Sequence, residues 1–336
     1  MPNWIGDAVM ATPILQDLHH KFPTAKLTLL CENSIASLLG KDPHLTEIIH
    51  YTKSSGWMHR AGKSDMIETL SKGNYDTGIL LTNSFSSSWW FWRSNVQNKI
   101  GFANFFRSFF LDVALPYPKD MEKRHLVSVY KELLVPLGIP ISSTQPKLYL
   151  GHEDREFQKS FFKLNGIKKD DILIGVNPGA SYGSAKCWPA DRFREITLKL
   201  LENPQVMILY FGDLNGASLV KEICHEMPGR VMNLAGKTTL RELMALIERC
   251  SIFLSNDSGP MHIASAFEIP LVALFGSTNS IKTGPYNGGK IISKKVECSP
   301  CYKRACPIAD FPCMTKISVN EVYHELTHMI EKWNTK

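Results

Sequence analysis

Residues 252–276, IFLSNDSGPMHIASAFEIPLVALFG, constrain the fold more than any other part of the chain. Two apolar runs, 252–255 and 271–275, enclose a short segment that opens with Asn256-Asp257-Ser258-Gly259-Pro260. Short apolar runs bounded by turn formers suit strands buried on both faces of a parallel sheet. Asp257 or Ser258 is placed to cap the helix between them. Pro260 suits its first turn, where a missing N–H costs nothing. Gly259 lets a ligand approach the backbone closely. The pattern predicts a strand feeding a helix whose unpaired N–H groups and positive dipole end favour phosphate. Such an end contributes only about 0.3–1 kcal/mol at an exposed site, so other groups must help, and His262 is one candidate. An ordinary βαβ turn with a good cap has the same sequence signature.

At 336 residues the chain exceeds one compact core, and two domains are expected. A hydrophobic content of 44% with 21% charged residues is that of a globular protein. No stretch approaches the roughly 18–20 apolar residues of a membrane span. The opening residues MPNWIGDAVMATP have neither a basic n-region nor an apolar h-region, so a cytoplasmic location is expected. A net charge of +6 suits an anionic ligand or membrane surface. No nucleic-acid motif accompanies it, and no nucleic-acid partner is expected.

Eight cysteines are present, four of them as Cys298-x2-Cys301-x4-Cys306-x6-Cys313. The spacing has something of a metal knuckle but lacks the paired C-x2-C form of a zinc site. In a reducing cytosol a thiol-bearing folded loop is the expectation, with no metal.

Segments 26–31, 76–81 and 99–102 read as strands in the first half. In the second, 171–177 and 206–211 are strands, while 190–202 and 240–250 are helices. Thr239-x-x-Glu242 is a capping box ahead of Leu240, Leu243, Met244 and Ile247 on one face. Alternating strands and helices imply parallel sheets covered by helices. Residues 137–154, with Gly138, Pro140 and Pro146, have the composition of a linker. The expected domains are 1–150 and 151–336, doubly wound and facing a central cleft. A final helix, 318–334, starts at the box Ser318-x-x-Glu321 and carries Val322, Leu326, Met329, Ile330 and Trp333 on one face. It is a candidate to pack back on the first domain.

Two further polar loops complete the candidates. Gly6-Asp7 precedes Ala8-Val9-Met10-Ala11-Thr12-Pro13, where Asp7 can be a helix cap or a reactive carboxylate. Asn177-Pro178-Gly179-Ala180-Ser181 follows a strand and leads to Lys186-x-Trp188-Pro189. Ligands of open α/β sheets bind beyond the carboxyl ends of strands, which places Lys186 well for phosphate. A solvated surface lysine is the plainer alternative. Neither the Walker A loop nor the G-x-G-x-x-G fingerprint occurs, which counts against nucleotide hydrolysis and nicotinamide chemistry.

Residues 2–13, the loop from Asn177 through Pro189 and the run Asn256-Asp257-Ser258-Gly259-Pro260-Met261-His262-Ile263-Ala264 together resemble glycosyltransferase family 9. Within it, the chain is most similar to heptosyltransferases of the ADP-heptose:lipopolysaccharide II type, which also carry the Cys-x2-Cys-x4-Cys run. The resemblance extends over nearly the whole chain. It implies a GT-B fold, with acceptor on the first domain and ADP-heptose on the second. It also implies inverting transfer of a second heptose onto the first in the lipopolysaccharide inner core, at the cytoplasmic face of the inner membrane.

By the same resemblance Asp7 is the general base and Lys186 neutralises charge building on the departing pyrophosphate. Ser181 matches a phosphate contact, Asp257 a ligand of the donor heptose, and Ser258, Gly259 and His262 the phosphate-binding helix start. Either Asp213 or Asn215 holds the ribose. No Asp-x-Asp pair is present, so no cofactor is required and Mg²⁺ at most assists the pyrophosphate. Other family readings are a transferase with a different donor or acceptor, or a GT-B nucleotide-sugar epimerase. A non-catalytic scaffold is a third, against which Asp7, Lys186 and Asp257 together argue.

Relatives open with an apolar strand before the Asn-Trp-Ile-Gly-Asp turn, which is missing here, so a start upstream of Met1 is expected. The run Trp89-Trp90-Phe91-Trp92-Arg93, with Phe102, Phe105, Phe106, Arg107, Phe109 and Phe110, either packs in the first domain or forms an apolar, basic surface at the inner leaflet. In the second case Lys99, Arg107, Lys123 and Arg124 are candidates to meet anionic groups of a lipid-anchored acceptor, Lys99 and Arg124 foremost.

Overall fold

The computed structural model describes residues 1–52, 59–104 and 106–334, with the side chains of 59–64 left aside. Phe105 therefore lies outside the described residues. The chain divides into two compact units, Met1–Gln145 and Pro146–Lys336, within the proline-bearing stretch that reads as a linker.

The second unit is built on a six-stranded sheet in the order β11-β10-β9-β6-β7-β8. Its strands are β6 (Ile172–Asn177), β7 (Val206–Tyr210), β8 (Val231–Asn233), β9 (Ile252–Asn256), β10 (Leu271–Phe275) and β11 (Lys290–Ser293). All pairs are parallel. The four central strands are buried at every residue, as their unbroken apolar sequences require in a sheet covered on both faces. Gly175 in β6 is needed for close approach: a Cβ there would sit 2.5 Å from the Phe253 ring and 2.9 Å from the Cys250 sulfur.

Helix Leu240–Glu248 starts with the Thr239/Glu242 box, both of whose hydrogen bonds are made. Helix Val319–Asn334 begins with the equivalent Ser318/Glu321 pair. Its Val322, Leu326 and Ile330 are buried in the second unit's own core, beside Ile252, Leu254 and Val272. That burial gives the final helix its seat on the sheet of its own unit.

Chain order fixes where a ligand can bind. From β6 the chain runs outward through β7 and β8, then returns to β9 on the opposite side and continues outward through β10 and β11. The direction reverses between β6 and β9. Their carboxyl ends lie side by side there, with Asn177 in register with Ser255. In an open parallel sheet this is the crevice where ligands bind.

The first unit distributes its strands over two parallel sheets, β1 (Thr28–Glu32) with β2 (Glu47–Tyr51), and β3 (Thr77–Leu80) with β4 (Asn98–Phe102) and β5 (Val113–Leu115). Helix Ile5–Ala11 buries Ala8, Val9, Met10 and Ala11, while Asp7 stays half-buried in its first turn. The helix packs against helices Asn33–Leu39 and Leu126–Glu132. Among the described residues, no helix is long and apolar enough to cross a membrane.

Candidate functional site

At the reversal point, two asparagines lock the loops that follow β6 and β9. Asn177 Nδ2 donates to the Gly179 carbonyl at 2.9 Å and to Ser258 Oγ at 3.0 Å. Asn256 Nδ2 donates to the Pro178 carbonyl at 2.6 Å, and its Oδ1 accepts from the Trp188 N–H at 3.2 Å. Asn256 is completely buried, so losing any of these bonds would strand a buried polar group. The loops are held as one rigid wall.

Helix Gly259–Ala266 leaves this wall with Ser258 at its N-cap position. Neither expected cap forms. Ser258 Oγ is engaged by Asn177 and Ser255, and Asp257 turns elsewhere, so the helix start has no side-chain cap. Its first N–H groups and the positive end of its dipole are not covered by a carboxylate, which leaves the anion preference of the helix end intact. His262, one turn in, is buried.

Asp257 instead meets Lys186. The Lys186 ammonium lies 2.5 Å from Asp257 Oδ2, and the Thr278 hydroxyl donates to the same oxygen at 2.6 Å. The two charged side chains are only 13% and 4% exposed, so they meet out of bulk water. The Lys186 ammonium also sits 4.8 Å from the centre of the Tyr182 ring. On the neighbouring loop Ser181 Oγ donates to Asp213 Oδ2 at 3.1 Å, while Asp213 Oδ1 accepts the Gly216 N–H at 2.8 Å. Of the sequence candidates, Ser181 and Asp213 thus form one pair, Lys186 and Asp257 another, and Ser258, Gly259 and His262 share one helix start. Thr278 escaped sequence reading. The signal was present, since it follows β10 in Gly276-Ser277-Thr278 and so lies beyond another strand end.

The first unit treats its candidates differently. Lys99 is buried, and all three of its ammonium protons have acceptors: the carbonyls of Val96 (2.8 Å) and Gln97 (3.1 Å) and Asp112 Oδ2 (2.6 Å). No donor remains for an acceptor substrate, so the expectation for Lys99 is corrected to a structural one. Arg107, a candidate for anionic acceptor groups only if the aromatic run formed a surface, is 2% exposed. It donates to Asn83 Oδ1 at 2.9 Å and to the Phe102 carbonyl at 3.3 Å, and burial lowers its pKa to about 10. Arg124 lies between Glu132 and Asp120 and keeps partial exposure. Asp7 lies near Tyr130, whose phenol is pushed well above its ordinary value by burial and then by the Asp7 charge.

All eight cysteines are free thiols. Cys298, Cys301, Cys306 and Cys313 line one cavity of about 80 Å³ with Ser277 and Phe311. Among the described residues no three His, Cys, Asp or Glu side chains converge as metal ligands. The loop braces the segment that follows β6: Tyr182 Oη donates to the Tyr302 carbonyl at 2.6 Å and the Ala185 N–H to the Arg304 carbonyl at 3.0 Å. Gly183, with φ +153°, leaves room for that carbonyl, which a Cβ would approach to 2.2 Å.

The description of glycosyltransferase family 9 (heptosyltransferase) matches residues 64–311, which include both second-unit loops. The chain belongs to glycosyltransferase family 9. This family 9 chain is similar to lipooligosaccharide heptosyltransferase 2 of Campylobacter jejuni, 27% identical over 335 residues that cover 97% of this chain and 96% of the relative. It is also similar to lipopolysaccharide heptosyltransferase 2 of Salmonella typhimurium, 28% identical over 294 residues, 84% of this chain and 83% of the relative. The structure of E. coli ADP-heptose lps heptosyltransferase II superposes with a TM-score of 0.81 at 24% identity, covering 98% and 97% of the two chains. A family 9 glycosyltransferase from Veillonella parvula gives 0.87 at 24%, covering 99% and 96%. The fold is GT-B.

Proposed function

We propose that this family 9 glycosyltransferase moves heptose from ADP-heptose, with inversion, onto the first heptose of a lipopolysaccharide inner core. The observation that carries this reading is the Lys186–Asp257–Thr278 cluster at the sheet reversal, beside a helix start that no side chain caps. A pyrophosphate needs a fixed cation and backbone donors, and a sugar needs a carboxylate to accept its hydroxyl protons. Lys186 serves the first need and Asp257 the second. Ser181 and Ser258, with the Gly259 N–H, reach the phosphates, His262 supports the helix start, and Asp213 holds the ribose.

In the reaction, Asp7 takes the proton of the acceptor hydroxyl as that oxygen forms its bond to the anomeric carbon. The bond from that carbon to the phosphate oxygen breaks, and ADP leaves with the electron pair. Charge developing on the pyrophosphate is met by Lys186, whose place is set in advance by Asp257 and Thr278. Arg124 contacts an anionic group of the acceptor. No motif of the chain requires a metal, and Mg²⁺ at most assists the pyrophosphate. The enzyme works in the cytoplasm, peripheral to the inner membrane that holds its lipid-anchored acceptor.

The test is incubation with ADP-heptose and a core acceptor ending at the first heptose, with the product read by mass. Addition of one heptose unit is expected. Free heptose with untouched acceptor, or equal use of a UDP-sugar, would overturn the assignment.

A further inference from the structure

The first unit reverses the usual placement of charge and apolar surface around helix Phe85–Arg93 and the 3-10 turn Ser108–Phe110. Arg107 is buried, with Nε and Nη2 lacking any hydrogen-bond partner, while Phe109 is 84% and Phe106 67% exposed. Phe85 and Trp92 are about half exposed on the adjoining helix. The Phe110 ring ties the two elements, meeting Phe85 edge-on at 5.3 Å and Trp92 at 5.4 Å. Arg107 holds the turn from inside through Asn83 and Phe102, so its neighbours Phe106 and Phe109 point outward.

Along this stretch of the sequence the charge is one-sided. No Asp or Glu occurs between Asp76 and Asp112, whereas Arg93, Lys99 and Arg107 do. Arg93 is exposed at the end of the same helix. Large exposed apolar clusters are rare on proteins that meet only water. Aromatic rings exposed on a helix and a turn, with the exposed Arg93 at the end of that helix, suit the boundary between headgroups and acyl chains.

We propose that this surface, centred on Phe106, Phe109 and Trp92 with Arg93 beside it, docks on an anionic lipid bilayer. The proposal gives a physical seat to the membrane-held acceptor of the proposed function, and it is tested without nucleotide or acceptor. A failure here therefore leaves glycosyl transfer standing.

Sedimentation of the full chain with vesicles of phosphatidylcholine, alone or mixed with phosphatidylglycerol, measures it. The chain is expected to bind the mixed vesicles about fivefold more tightly, since one basic residue near an anionic surface contributes about 1 kcal/mol. The double variant Phe106→Ser/Phe109→Ser should lose more than about tenfold on both compositions through lost ring burial. Arg93→Glu should lose affinity for the mixed vesicles alone. Unaltered melting and unaltered turnover on a delipidated acceptor fragment, in the same variants, exclude misfolding as the cause. Vesicle binding unchanged by these substitutions overturns the proposal. So does a dimer in light scattering that the double variant converts to monomer, which would make a second copy the occupant.

Discussion

The two units of this chain spend their charged residues in opposite ways. In the second, Lys186 and Asp257 meet at the carboxyl ends of β6 and β9, where the chain order reverses and nothing caps the following helix. In the first, Lys99 gives every proton to its own fold, and Arg107 is sealed beneath a turn whose phenylalanines face outward. Both lysines are largely buried and both touch an aspartate. The difference lies in what else surrounds them. Lys99 has two backbone carbonyls besides Asp112, whereas Lys186 has an aromatic face and an aspartate already shared with Thr278. A buried cation is thus no sign of a ligand site until its donors have been counted.

The largest effect that can break this comparison concerns Asp7. General-base catalysis is typically worth about 10²–10⁴ in rate, and Asp7→Asn should lose that much turnover while ADP affinity in calorimetry stays unchanged. Near-normal turnover would remove Asp7 from the chemistry. Lys186→Met should cost about a hundredfold in turnover and also weaken donor binding, because a charge partner of the pyrophosphate is gone. Thr278→Val removes one hydrogen bond to Asp257, near 1 kcal/mol, and should cost roughly fivefold. Lys99→Met is the counterpart in the first unit. It should lower stability by about 1 kcal/mol and leave turnover within roughly twofold. A large fall in turnover at constant melting temperature would return Lys99 to the acceptor.

What the sequence made legible was local. The strand ends, both capping boxes and the two polar loops were visible because periodicity, cap chemistry and strand-end position are short-range properties. The unbroken runs of β6, β7, β9 and β10 announced a sheet covered on both faces. What stayed hidden depends on partners brought together by the fold. Asp257 read equally well as a cap, and only the approach of Lys186, 71 residues earlier, turned it away from the helix. Lys99 looked like a free cation until β4 and β5 paired and set Asp112 against it. Arg107 sits amid phenylalanines in the sequence, and no pattern tells which of them turns inward.

The smallest effect expected concerns acid stability, and it separates a structural ion pair from the Lys186–Asp257 pair. Glu321, at the start of helix Val319–Asn334, is held by the Lys294 ammonium and next by the Ser318 N–H, which lower its pKa to about 2. A carboxylate whose folded pKa lies below its unfolded value adds stability that is fully present above the unfolded value. That stability fades as pH falls toward the folded one. For Glu321 the window runs from 4.5 down to about 2. The pair is 30% and 41% exposed, so solvent screening keeps the effect modest. Glu321→Gln should therefore flatten the acid limb of the melting-temperature profile inside that window and leave turnover at neutral pH alone. Its effect should shrink in high salt, as an exposed pair requires. An acid limb unchanged in Glu321→Gln would assign the helix start to its Ser318 cap rather than to the ion pair with Lys294.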